Sequence, residues 1–117
     1  MRAALLLLAA LALPCKAEDW TREDSYRQAA IAVLQVVDWG QTRYIAKHPE
    51  FHEVNPLIGK HPSIGRVNNY FAISIPANAA ISALIPSKYR TLWQTGRLMV
   101  QVSLVSYNKG VGIGMEF

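Results

Sequence analysis

Gln28-Ala29-Ala30-Ile31-Ala32-Val33-Leu34-Gln35-Val36-Val37-Asp38-Trp39-Gly40-Gln41-Thr42 is the stretch on which the fold turns. Its apolar residues cover most of a helix circumference, while Gln35, Asp38 and Thr42 recur at i, i+3 and i+7 and share one face. The spacing predicts a helix from Ser25 to Lys47, with Asp24 or Ser25 as its N-cap. A second helix is expected over Val67–Leu84, with Ser74, Asn78 and Ser82 every fourth residue and Pro76 as a kink. A third, Lys88–Asn108, sets Gln94, Arg97, Gln101 and Asn108 at i, i+3, i+7 and i+14.

Each helix therefore carries one narrow polar stripe, and two opposite arrangements satisfy it. The stripes face water around an apolar core, or they face one another while the apolar flanks meet lipid. The wide apolar arcs of the first two helices favour lipid. Asp38, Arg43, Pro76 and Arg97 act against it, because no segment is a run of eighteen residues without charge. A charge near a bilayer centre costs about 2.5–3.5 kcal/mol on insertion scales. Asp38 and Arg97 are accordingly expected to compensate each other. With the amino-terminal tail exported, the connection bearing Arg43, Lys47, Lys60 and Arg66 would lie inside, in keeping with the positive-inside rule.

The chain has 117 residues, 51% of them apolar, and a formal net charge of +4. That length holds one domain, and that apolar content excludes disorder. Met1–Ala17 contains six Leu and six Ala, with Arg2 in front and Pro14-Cys15-Lys16-Ala17 behind. It reads as a cleavable signal peptide: its eleven-residue apolar run reaches about 16 Å as a helix, roughly half a hydrocarbon core. A lipoprotein reading, with Cys15 as the acylated residue, is disfavoured by Pro14 in front of it. Cleavage after Ala17 leaves ten Lys or Arg against eight Asp or Glu, and no cysteine. A near-neutral domain lacks the basic footprint of a nucleic-acid binder. Disulfide, thiol and cysteine-metal chemistry are excluded from the mature chain.

At the other end Val111, Ile113, Met115 and Phe117 alternate with Gly110, Gly112, Gly114 and Glu116, like the closing strand of an outer-membrane barrel. A barrel needs at least about eight such strands, and Gln28–Leu84 has helical periodicity with no hairpin turns. A short extended tail is the reading that remains.

His48–Arg66 reads HPEFHEVNPLIGKHPSIGR, holding all three histidines, three prolines and two glycines. Asn55-Pro56 predicts an N-capped turn over Pro56–Ile58 closed by Gly59. His48, His52 and His61, with Glu53, are the weak candidates for metal ligands, since imidazole and carboxylate suit zinc-like ions. The order of residues is not that of the zinc peptidases, because Glu53 follows the second histidine. No Gly-x-Ser-x-Gly elbow occurs, and no Lys-Ser or Lys-Thr follows the Gly110–Gly114 glycines, so neither nucleophilic catalysis nor phosphate cradling is expected. Trp20, Trp39 and Trp93 suit interface anchors or core residues better than a cofactor box, with Trp39 and Trp93 leaning to anchors.

Asp38-Trp39-Gly40-Gln41-Thr42, then Glu53-Val54-Asn55-Pro56-Leu57, then two further helices ending near Asn108, resembles a group of short, uncharacterised bacterial and prophage proteins. Their shared pattern is D-x-x-x-T followed by E-x-N-P-[LI]. The resemblance covers Gln28 to Asn108 and implies a small helical membrane or membrane-associated protein, with no catalytic residue to carry over. Low hydropathy and Arg97 depart from that pattern. Physically the motif is a polar knot: Asp38 and Thr42 lie one turn apart, and a chain reversing at Pro49 brings Glu53 and Asn55 back beside them. Asp38 or Glu53 is then expected to pair with Arg97, since a buried carboxylate left alone is costly.

The expected protein is all-α: a signal peptide, residues 1–17, then a single domain, residues 18–117, formed by a three-helix bundle with a short extended C-terminal tail. Asp38, Thr42, Glu53, Asn55 and Arg97 form its structural polar cluster. The expected role is non-enzymatic and cofactor-free, in the bacterial envelope at or in the inner membrane, with lipid as a partner and room for a protein partner or a second copy. The competing readings are a soluble periplasmic domain binding through His48–Arg66, and a metal-dependent enzyme.

Overall fold

In a computed structural model, residues 19–117 are described, and the expected signal peptide lies outside them. Three helices follow in order: α1 (Arg22–Lys47), α2 (Ile64–Leu84) and α3 (Ser87–Gly110). The described residues are all-α, a three-helix bundle as the periodicity indicates.

Helix ends are set by local chemistry. Thr21, in place of Asp24 or Ser25, caps α1: its hydroxyl accepts the Asp24 N–H while the Asp24 carboxylate accepts the Thr21 N–H, a capping box. That box starts the helix three residues earlier than the apolar run suggests. α1 ends at His48, which is extended because Pro49 follows it. Ser63 caps α2 by accepting the Arg66 N–H. α2 contains Pro76 and stops at Ile85, ahead of Pro86. In the connection, Asn55 Oδ1 accepts the Leu57 N–H and its carbonyl accepts those of Ile58 and Gly59. Gly59 closes the turn at φ 93°, a conformation that favours glycine.

α1 is the hub. Both α2 and α3 pack along it, but they scarcely touch each other. The apolar core lies between α1, the connection and α2, where Trp39, Ile58, Val67, Phe71, Ile75 and Ala79 meet. Trp39 stacks on Phe71 with centroids 5.8 Å apart and donates its indole N–H to Asn68 Oδ1 at 3.0 Å. It is a core residue, so the anchor reading of Trp39 is corrected: a proline-rich connection folds back over the helix end that periodicity alone leaves bare.

After a turn at Val111 and Gly112, the tail, 113–117, runs back along α1. Glu116 donates its N–H to the Gly40 carbonyl at 3.0 Å, and the Arg43 Nε–H donates to the Glu116 carbonyl at 3.1 Å. Gly40 and Gly114 permit the close approach, facing the Phe117 and Tyr44 rings respectively.

The seam between α1 and α3 is polar. On α3 the buried residues are Arg90, Gln94, Gln101 and Asn108, with no apolar one among them. Leu92, Met99, Val100 and Val102 of the same helix are exposed, Leu92 by 75%. The polar stripes therefore face inward. Among the described residues, no helix is long and apolar enough to cross a membrane.

Candidate functional site: the polar seam and the cleft above it

Three clusters run along the seam. At the start of α1, Arg90 donates from Nη1 to Asp24 Oδ2 (3.2 Å), from Nε to the Ser82 carbonyl (2.8 Å) and from Nη2 to the Ile85 carbonyl (3.2 Å). Both Arg90 and Asp24 are almost fully enclosed. One guanidinium thus ties α3 to the first turn of α1 and to the carbonyl end of α2, where the helix dipole favours a cation. Burial works against the Asp24 charge. The Thr21 N–H, Arg90, Arg27 and the Thr21 hydroxyl outweigh it and hold Asp24 below the ordinary carboxylate value. Gln94 completes the cluster, donating to the Asp24 carbonyl and accepting from Arg27 Nε.

Asp38, Thr42 and Glu53 form the middle cluster, brought together as the motif implies. The Thr42 hydroxyl is 3.1 Å from Glu53 Oε2, 3.3 Å from Asp38 Oδ1 and 2.8 Å from the Asp38 carbonyl. A hydroxyl has one proton to give, so these three acceptors compete for a single donor. Glu53 Oε1 accepts the backbone N–H groups of Val54 and Asn55, which fixes its carboxylate over the turn. Asp38 accepts the Gln101 amide N–H at 3.2 Å. Burial pushes the Asp38 carboxyl up to about 6; the Gln101 and Thr42 hydrogen bonds and the more distant Arg97 oppose the rise, and the Glu53 charge adds to it. With a proton on Asp38, the shortage of donors at Thr42 disappears, because Asp38 then supplies one.

Arg97 is not where the sequence puts it. No ion pair joins it to Asp38 or Glu53; its Nη2 donates to Gln101 Oε1 at 3.1 Å, and Gln101 relays to Asp38. Residues 97 and 38 are held one amide apart, because Gln101 lies one turn further along α3 and occupies the space between them. Asn55 joins the site through its backbone, while its side-chain amide donates to the Tyr70 hydroxyl at 3.0 Å. The third cluster links Asn108 Nδ2 to Gln41 Oε1 and Gln41 Nε2 to the Val105 carbonyl.

The histidines do not assemble. His48 stacks on Tyr44 with centroids 3.8 Å apart and sets Nδ1 2.8 Å from the Tyr44 carbonyl, while His52 and His61 are exposed. Among the described residues no three His, Cys, Asp or Glu side chains come together as a metal site.

Because α2 and α3 diverge, a cleft of about 480 Å³ opens between them with α1 as its floor. Gln35 and Asp38 form that floor, Ser74 and Asn78 one wall, Trp93 and Arg97 the other. Gln35 Oε1, Ser74 Oγ, Asn78 Oδ1, Trp93 Nε1 and Arg97 Nε are enclosed there without a hydrogen-bond partner. Buried polar groups normally find partners, so these five atoms are where the polar interior between the helices is least satisfied.

Sequence reading missed Arg90, Asp24 as its partner, and Trp93. The signal for Arg90 was present: it extends the stripe of Gln94, Arg97, Gln101 and Asn108 by one turn, at i−4 from Gln94. No family model matches the chain, and neither a curated protein nor a solved structure matches it.

Proposed function

We propose that this chain is a small, exported, non-enzymatic helical protein of the bacterial envelope that associates with the inner membrane, a member of the prophage-type group that the D-x-x-x-T and E-x-N-P-L segments resemble. The observation that carries this reading is the inverted polarity of α3, which buries four polar side chains and turns Leu92, Met99, Val100 and Val102 outward. Ile73, Ile81 and Leu84 on α2, and Met115 and Phe117 on the tail, add to that apolar exterior. Full burial of one such side chain is worth about 1.5–3 kcal/mol, so a handful of them sufficiently favours lipid contact over water. Association does not require spanning: an exterior of this kind can lie within the interfacial layer. Inside the fold, Asp38, Thr42, Glu53, Asn55 and Arg97 act as glue, together with Gln101 and the Arg90 cluster, because a satisfied polar network specifies which helix faces meet.

Fractionation of cells making the full chain tests this. The protein is expected in washed membranes, released by detergent and not by osmotic shock. Complete recovery in the osmotic-shock supernatant, as a folded monomer in plain buffer, would overturn the reading in favour of a soluble periplasmic domain.

A further inference from the structure

Residues 53–60 form a loop closed on itself. The Glu53 N–H donates to the Lys60 carbonyl at 2.8 Å, and the Asn55 carbonyl accepts the N–H groups of Ile58 and Gly59. Ile58 seats the loop, its buried side chain sharing the apolar core with Trp39, Val67 and Phe71. Two hydrogen bonds tie the loop to α2, from Asn55 Nδ2 to the Tyr70 hydroxyl and from Arg66 Nη2 to the Leu57 carbonyl. Among the described residues a single one ties it to α1, from the Thr42 hydroxyl to Glu53 Oε2 at 3.1 Å.

That bond depends on where the one Thr42 proton points. With Asp38 ionised, Asp38 Oδ1 competes for it at 3.3 Å, and two buried carboxylates face each other across the hydroxyl. A proton on Asp38 Oδ1 reverses the first of these bonds: Asp38 then donates to Thr42 Oγ, and the Thr42 hydroxyl is released from Oδ1 toward Glu53. Asp38 Oδ2 keeps the Gln101 amide in either state. The surroundings offer no other remedy. From α3 the cleft brings Arg97, held one amide away by Gln101, and from α2 it brings Tyr70, Ser74 and Asn78 but no carboxylate or cation. Among the described residues neither Asp38 nor Glu53 belongs to an ion pair.

We propose that Asp38, Thr42 and Glu53 form a proton-controlled latch: a proton on Asp38 fastens loop 53–60 to α1 through Thr42, and its loss to water frees the loop to lift from the core. Lifting would withdraw Ile58 and uncover the stacked pair Trp39 and Phe71. Burial raises the Asp38 carboxyl to about 6, so the latch is closed in acid and opens as pH rises through that value. It requires no bilayer, so it stands or falls separately from membrane association.

The test follows amide exchange by NMR in the purified full chain and in Asp38→Asn, whose amide N–H stands in for the carboxyl proton at every pH. The substitution lies outside the loop, so the intrinsic exchange of each loop amide cancels in the ratio of wild type to variant. For Asn55, Ile58 and Gly59 that ratio is expected to be near one at pH 5 and to rise about tenfold by pH 8, with its midpoint near 6. The Glu116 amide, bonded to the Gly40 carbonyl on the tail, should keep a ratio near one throughout. Thr42→Val should speed loop exchange already at pH 5, whereas Thr42→Ser, which keeps the hydroxyl, should retain the wild-type profile. A ratio that stays flat with pH, or a wild-type profile that persists in Thr42→Val, would overturn the proposal. So would loop amides that exchange no faster than the Ala79 amide of α2, since the loop would then open only with the whole fold.

Discussion

Gln101 stands between Asp38 and Arg97, giving its amide N–H to the Asp38 carboxyl at 3.2 Å and accepting the Arg97 Nη2–H at 3.1 Å. A neutral side chain thus takes the place of a direct ion pair, and the cost of enclosing two charges is divided between hydrogen bonds and the elevated Asp38 value.

Gln101→Leu removes both bonds at once and strands Asp38 Oδ2 in a buried seam. A loss of about 1–3 kcal/mol is expected in urea unfolding. Arg97→Gln should cost less, about 0–1 kcal/mol, because no carboxylate depends on Arg97 at contact distance. An Arg97→Gln cost exceeding that of Gln101→Leu would contradict the relay.

Asp38 titrates near 6 in the fold against an ordinary 3.8. The folded state therefore holds the proton more tightly than the unfolded chain, and stability from this group is fully present below pH 3.8 and falls away as pH rises through about 6. Asp38→Asn mimics the protonated form, with an amide able to donate to Thr42 and accept from Gln101. It should leave stability at pH 4 unchanged and raise it at pH 8 by about 1–2 kcal/mol after allowance for solvent screening. Thermal melts at the two pH values decide this; equal effects at both would exclude a titrating Asp38.

Asp24 has the opposite sign. Its value lies below the ordinary 3.8, so its contribution is present above that pH and disappears as acid titrates it through the lowered value. Arg90→Met leaves the Asp24 carboxylate enclosed without its main cation, and the Ser82 and Ile85 carbonyls without a donor. A loss of about 3–5 kcal/mol at pH 7 is expected. Part of that loss should vanish in the Asp24→Asn background, as a double-mutant cycle would measure.

Gly40→Leu tests the docking of the tail. A Cβ there would fall 2.5 Å from the Phe117 ring and 3.3 Å from Met115 Cβ, so the tail must move. Global stability should change little, because replacing a mid-helix glycine regains up to about 1 kcal/mol of helix propensity. Amide exchange resolves the local effect: the Glu116 N–H, bonded to the Gly40 carbonyl, is expected to lose its protection while the α2 amides keep theirs.

Much of the candidate site is legible in the chain itself. Gln35, Asp38 and Thr42, and likewise Gln94, Gln101 and Asn108, lie on single faces because helical geometry is local and repeats every 3.6 residues. Asn55-Pro56 and Gly59 announce the turn that returns Glu53 to Thr42, since capping and positive φ depend on a few neighbouring residues. Arg90 lies on the same stripe one turn before Gln94, and Thr21 caps α1 ahead of Asp24 and Ser25, the two expected cap residues nearer the apolar run.

Sequence by itself fixed the three helices, their breaks at Pro49 and Pro86, and the one polar face on each, because these follow from backbone sterics and short-range periodicity. Tertiary structure alone decided that those faces turn inward, that Gln101 separates Asp38 from Arg97, that Trp39 is covered by the connection, and that α2 and α3 part to open a cleft. Each of these is a relation between groups distant in the chain, set by which side chains fill the space between helices, and no local pattern records that competition.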